Sequence, residues 1–239
     1  RLRIGNTGSH ITLAELAEEY LIRHSRPHKK TWKEDERRIN KYILPGLGER
    51  QIGTISRIEI VRLLTDITAN KTPTEANRVH EILRTIFYKA VEWEYIDHNP
   101  CTRIKRNKET KRERYLTEEE FPRFVEALEQ EQSPFIKGAI WLLTLTGLRR
   151  SECLSLQWEN VNLKRGELYV PETKSGQSLT LPISRIAIGK LREVPRTKSP
   201  YVFISGATGP HLVCIKRAWF RICNRAGIKN LRLHDLRRT

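Results

Sequence analysis

Thr146-Gly147-Leu148-Arg149-Arg150-Ser151-Glu152 ends one apolar run, Gly138-Ala-Ile-Trp-Leu-Leu-Thr-Leu-Thr146, and opens a new helix. Gly147 permits a tight turn or the close approach of a ligand backbone. Arg149 and Glu152, three apart, share a face of the helix that follows. Alone, such a pair is an ordinary surface ion pair and is worth little. A second motif lies far away in the chain, Leu233-His234-Asp235-Leu236-Arg237-Arg238-Thr239, and puts His234 and Arg237 three apart on another helix face. Two guanidiniums can hold non-bridging phosphate oxygens in planar forks while charge builds up in phosphoryl transfer. An imidazole can exchange a proton near neutral pH. Together the motifs have the parts of a clamp for a phosphodiester.

Outward from them the pattern is α+β. Helices are predicted near 117–130 and 134–146. Glu167-Leu-Tyr-Val-Pro-Glu172 and Ser178-Leu-Thr-Leu-Pro-Ile183 alternate at period two and read as a β-hairpin turning at Gly176. Lys174 lies on that turn, where an ammonium could reach a leaving oxygen, although by itself it reads as a routine exposed lysine. Lys164 in Asn162-Leu-Lys-Arg-Gly166 is the competing turn lysine. Helices near 185–193, 211–226 and from 233 complete the domain.

Before residue 100 the chain reads as all-helical. Capping boxes are expected at Thr12/Glu15, Thr31/Glu34, Ser56/Glu59 and Thr72/Glu75, with a fifth at Thr117/Glu120 in the second domain. Val79, Ile82, Leu83, Ile86, Phe87, Ala90 and Val91 form the apolar stripe of the fourth helix. The predicted division is a helical domain over 9–102, a basic linker over 103–114 and a second domain over 115–239. The linker holds seven basic residues against two acidic ones, a composition that suits a solvated connection able to lie along a phosphate backbone.

The 239 residues are enough for two domains, each with its own core. Lys and Arg total 44 against 28 Asp and Glu, a formal charge of +16. Comfortable net charges for a small domain are about 2–8 in magnitude, so the excess points to a polyanionic partner, nucleic acid first. No apolar stretch approaches the ~20 residues of a membrane-spanning helix. Cys101, Cys153, Cys214 and Cys223 form no C-x-x-C pair and read as buried, reduced thiols in a reducing cytosol. A start at Arg1 and the lack of any Met read as a fragment.

Candidate DNA contacts in the first domain are Lys71, Asn77, Arg78 and Arg84, at and after the start of the Thr72 helix, whose N-terminus favours phosphate. Lys105, Arg106, Lys111 and Arg112 in the linker, and Arg150 and Arg238 beside the two motifs, complete the set. Trp219, Phe220 and Ile222, within the basic stretch 216–238, read as core.

The second domain resembles the catalytic domain of the tyrosine recombinases, specifically phage-type and prophage-type integrases. The likeness rests on Thr146-Gly-Leu-Arg-Arg-Ser-Glu152, the lysine in Glu172-Thr-Lys-Ser-Gly176 and His234-Asp-Leu-Arg-Arg-Thr239, in the family's order and spacing. The helical domain and basic linker resemble the family's core-type DNA-binding domain, and residues 1–8 resemble the tail of a linker from an arm-binding domain. The implied fold is mainly α with a small β-hairpin or sheet, an all-helical core-binding domain joined to an α+β catalytic domain.

The resemblance also implies a mechanism. A tyrosine attacks a scissile phosphate, forming a 3′-phosphotyrosyl link and releasing a 5′-hydroxyl. Arg149 and Arg237 would stabilise the phosphorane-like transition state, and Lys174 would protonate the leaving oxygen. His234 would assist proton transfer from the nucleophile, and Glu152 would support the site. Neither a metal nor any other cofactor is expected, and the sequence has no P-loop and no H-E-x-x-H. The implied partners are a double-stranded core recombination site held in a C-shaped clamp, a homotetramer on DNA, and accessory excision or host DNA-bending proteins. No membrane partner is expected, and the implied setting is the bacterial cytosol, at the nucleoid.

In the family the nucleophile follows the H-x-x-R helix by tens of residues. Tyr20, Tyr42, Tyr88, Tyr95, Tyr115, Tyr169 and Tyr201 all precede that helix here. The nucleophile is therefore expected beyond Thr239, and these residues are expected to bind DNA without cleaving it. A chromosome-dimer resolvase and a type IB topoisomerase share the chemistry. The different-class alternative is a non-catalytic DNA-binding regulator derived from an integrase, which only the missing tyrosine favours. A metal-dependent nuclease is a poor third.

Overall fold

Thr12 and Ser56 start helices as their spacing dictates. Each hydroxyl accepts from the amide three residues on, and Glu15 and Glu59 return a carboxylate oxygen to the Thr12 and Ser56 amides at 2.8 and 2.9 Å. Two amides that the first turn of a helix leaves unpartnered are thereby satisfied. The computed structural model describes residues 10–171, 176–206 and 209–239. Helices α1 (Leu13–Tyr20), α2 (Trp32–Arg38), α3 (Arg57–Asn70) and α4 (Pro73–Glu92) build a first unit that extends to Lys111.

Two of the expected boxes form differently. Thr72 caps α4, but the Glu75 carboxylate turns to Arg37 and Arg38. Thr31 makes no side-chain cap, and Glu34 pairs with the same two arginines. Hydrogen bonds between two charged groups are the stronger competitors here. Tyr20, Ile43, Ile60, Val79, Leu83, Ile86 and Phe87 are fully buried in the unit's core, whereas Tyr88, on the same helix, is 62% exposed.

The stretch after α4 is fastened to this unit. The Asn107 amide donates to Asn77 Oδ1 at 2.8 Å, and Asn77 Nδ2 donates to the Asn107 carbonyl at 2.9 Å and to Glu109 Oε1 at 2.7 Å. Asn107 Nδ2 reaches Thr68 Oγ1 on α3 at 2.9 Å. The unit boundary at 111/112 falls inside the segment read as linker.

The second unit runs from Arg112 to Thr239. It contains α5 (Phe121–Glu129), α6 (Pro134–Thr146), α7 (Arg150–Leu154), α8 (Arg185–Arg192), α9 (Lys216–Arg225) and a 3₁₀ segment, Leu233–Arg238. The Thr117/Glu120 box closes the turn leading into α5 rather than its first residue. Strands β1 (Val161–Asn162), β2 (Glu167–Val170) and β3 (Leu179–Pro182) form an antiparallel sheet in that order, with Val161 opposite Leu168 and Leu168 opposite Leu181. Strand β1 was not expected, because two residues are too few to show an alternation.

Helix α6 is apolar around its circumference and lies at the centre, with Gly138 through Leu143 buried. A methyl on Gly138 would sit 2.5 Å from Val194 Cγ2, so glycine lets the neighbouring chain approach. Helix α9 begins at Lys216 rather than 211, because the Leu212 amide pairs with the Phe203 carbonyl and residues 211–212 stay extended. Trp219 and Ile222 are core, but Phe220 is 66% exposed and corrects the expectation for that residue. Cys101, Cys153 and Cys223 are buried free thiols, with burial pushing Cys101 up to about 12 and Cys223 to about 11, while Cys214 is exposed. Among the described residues no helix is long and apolar enough to cross a membrane.

Candidate active site

Gly147 ends α6 in the left-handed conformation, φ +62°, with its N–H on the Leu143 carbonyl at 3.1 Å. That conformation suits glycine and turns the chain sharply. Two residues later Arg149 occupies the N-cap of α7. Glu152, its side chain only 10% exposed, accepts from the Arg149 amide at 2.9 Å and from Arg149 Nη1 at 2.7 Å. One carboxylate therefore fixes both the backbone and the guanidinium of Arg149. Burial works to raise the Glu152 carboxyl, but the two bonds from Arg149 and the charges of Arg149 and Arg237 outweigh it and hold it below the usual carboxylate range.

The second motif uses the same device. Asp235 is 4% exposed, and its Oδ2 accepts from the Arg232 amide at 2.8 Å, three residues upstream. Burial pushes its carboxyl up, and bonds from Arg112 and the Arg232 amide more than offset this, so it too lies low. His234 and Arg237, on either side of Asp235, are exposed. Neither side chain has a hydrogen-bond or ion-pair partner among the described residues.

The fold brings the two motifs together. A Cβ built on Gly147 would lie 4.0 Å from the Arg237 Cα, and the Arg237 charge is felt at Glu152. Two guanidiniums thus share one locality with the Glu152 carboxylate, which Arg149 already occupies, while the neighbouring Asp235 is paired with Arg112. The remaining positive charge favours an anion.

The hairpin is seen in part. Lys174 and Glu172 lie outside the described residues. A cavity of about 300 Å3 joins Glu152 to Tyr169, Val170 and Pro171, at the end of β2 from which the connection to β3 departs. Lys164 is exposed on the β1–β2 turn, at the other end of the strand, where Asn162 Oδ1 accepts from the Arg165 amide at 3.0 Å.

The proposed DNA contacts divide. Lys71, Arg84, Lys105, Lys111, Arg150 and Arg238 are exposed. Arg78 and Arg106 are exposed and share Glu81 at 3.0 and 3.4 Å. Asn77 and Arg112 are corrections. Asn77 is 3% exposed, and its amide donors are spent on Asn107 and Glu109. Arg112 is folded onto Asp235. The site residue that sequence reasoning missed is Asp235, whose one signal was its position as the lone acid within the basic run from 216 to 238.

Residues 114–239 match the phage integrase family and residues 13–107 match the phage integrase central domain; the chain belongs to the phage integrase family. Its relatives include the shufflon-specific DNA recombinase of Escherichia coli, to which it is 30% identical over 237 residues. That alignment takes in 95% of this chain and 60% of the relative, so the chain spans less than two thirds of that protein's length. The mainly helical fold with its small antiparallel sheet is that of lambda integrase. In a dimer bound to a COC′ core site the TM-score is 0.83 at 22% identity, covering 97% of this chain and 69% of that one. In a tetramer bound to a Holliday junction it is 0.82 at 23% identity, covering 99% and 73%.

Proposed function

We propose that this chain is the core-binding and phosphate-activating part of a site-specific tyrosine recombinase that integrates or excises a phage, prophage or other mobile element. The observation that carries the reading is the convergence of Arg149 and Arg237 across Gly147, with Glu152 fixing Arg149. DNA binding alone does not require two arginines brought to one locality beside the Glu152 carboxylate.

In the reaction a tyrosine oxygen attacks the scissile phosphorus and the bond to the 5′-oxygen breaks. The 3′ end stays on the enzyme as a phosphotyrosyl ester. Arg149 and Arg237 neutralise the charge that grows on the non-bridging oxygens. His234 assists the proton leaving the tyrosine, and Lys174 delivers a proton to the departing 5′-oxygen. Attack by a second 5′-hydroxyl reverses the steps, so one ester replaces another and no cofactor is consumed. Lys174 is favoured over Lys164 because the Glu152 cavity reaches the end of β2 that leads to Lys174. The lambda integrase tetramer on a Holliday junction supports a homotetramer on duplex DNA for this chain as well. The proposed setting is the bacterial cytosol, where accessory excision and DNA-bending proteins would assist.

None of the seven tyrosines follows the His234–Arg237 segment, and the nucleophile is a different tyrosine of the whole protein. The test uses nicked suicide duplexes carrying the ends of its own element, with EDTA present. The full-length protein should form a covalent adduct on a tyrosine outside these seven, and the 239-residue chain alone should form none. An adduct mapped to Tyr169 or Tyr115, or strand breakage that EDTA abolishes, would overturn the proposal.

A further inference from the structure

We propose that Arg112, at the end of the basic linker, is a positioning residue for the segment bearing His234 and Arg237 rather than a contact to DNA. The proposal relies on the recombinase reading only for what His234 and Arg237 do.

The segment that carries those side chains is a 3₁₀ turn, Leu233–Arg238. Short 3₁₀ turns have poor hydrogen-bond geometry and weak cohesion of their own, so their conformation depends on outside support. Support comes through Asp235, which stands between His234 and Arg237 in sequence and is the buried member of the three. Arg112 grips its carboxylate, with Nε at 3.0 Å and Nη2 at 2.8 Å from Oδ2, and Nη2 also donates to the Asn230 carbonyl. A guanidinium committed in this fork lacks those donors for a phosphate.

The grip is one of three stitches at alternate residues. Arg114 donates to the Lys229 carbonyl at 3.4 Å while its fork holds Glu120, and the Leu116 amide donates to Thr239 Oγ1 at 3.1 Å. Residues 112–116 thus lie as a strap along 229–239. The side chain that closes the strap beside the pocket is Arg112. Its loss would leave a buried carboxylate with the Arg232 amide as its remaining partner, and the turn would shift to rehydrate it.

The test compares R112A, R112K and D235N with the unaltered chain in three measurements. The first is binding to a short duplex of arbitrary sequence across a salt series. The second is amide exchange over residues 233–238 together with the His234 ring signals, assigned through H234Q. The third, in the full-length protein, is single-turnover cleavage at saturating DNA. For R112A we expect an unchanged salt slope, exchange over 233–238 faster by about tenfold or more, and displaced His234 signals. Cleavage should slow about tenfold or more with half-saturation unmoved, because the defect lies in alignment rather than binding. R112K, which keeps the charge but loses the fork, should fall between, and D235N should match R112A. Combining R112A with D235N should add little.

A salt slope smaller by about one, with exchange and His234 signals unchanged, would make Arg112 a phosphate contact and overturn the proposal. Should the chain fail to bind DNA, or the full-length protein fail to cleave it, the recombinase reading falls, while the exchange and ring signals still decide whether Arg112 holds the turn. If R112A does not fold, R112K and D235N make the same comparison.

Discussion

Glu152 holds Arg149 by its backbone and its guanidinium at once, and Asp235 holds the turn that carries His234 and Arg237. Both carboxyls are depressed in the folded protein. A depressed carboxylate contributes stability that is fully present above its unfolded value and is lost as pH falls through its folded value. The second unit should therefore lose stability on the acid side of the ordinary carboxylate range. E152Q and D235N should each be less stable at neutral pH and lose less on acidification, as followed by denaturant unfolding at a series of pH values. Acid sensitivity identical to the parent in both variants would contradict the assignment. At this scale the sequence was legible where spacing is local. Arg149 with Glu152 and His234 with Arg237 are i, i+3 pairs that any reader of the chain can find. Arg112 with Asp235 was not legible, because an ion pair between distant segments leaves no periodicity behind.

Among the elements, the capping boxes show how far local rules reach. The boxes at Thr12 and Ser56 close as written, whereas the one at Thr31 does not, since Arg37 and Arg38 take the carboxylate it needed. Thr12→Ala should thus cost about 1 kcal/mol, and Thr31→Ala should be close to neutral by the same denaturant midpoint measurement. Equal losses at both positions would mean that the Thr31 cap forms after all. The helix over 134–146 and the strands around Gly176 were readable from periodicity, and they stand where expected. The late start of α9 and the two-residue β1 were not, since pairing with Phe203 and with β2 is set by the tertiary fold.

For the whole molecule the governing quantity is its charge of +16. Affinity for duplex DNA should fall steeply with salt as phosphate contacts release counterions, with a slope of about 0.9 per phosphate neutralised. Arg84→Ala, an exposed cation on α4, should lower that slope by about one. Asn77→Ala should leave it unchanged, because its amide is spent on Asn107 and Glu109. A flat salt dependence would contradict a partner bound through its phosphates. Net charge points to a polyanionic partner from composition alone. It did not show which polar groups face outward, because burial is decided by packing that no single stretch records.

The claim on which the account depends is that Arg149 and Arg237 act on the reacting phosphate rather than on DNA binding in general. Single-turnover cleavage by the full-length protein at saturating DNA, measured beside affinity for Arg149→Ala and Arg237→Ala, tests it most directly. The prediction is a rate lower by about 100–1,000-fold with the dissociation constant almost unmoved, the mark of contacts made in the transition state. Weakened binding with cleavage at saturation preserved would contradict it.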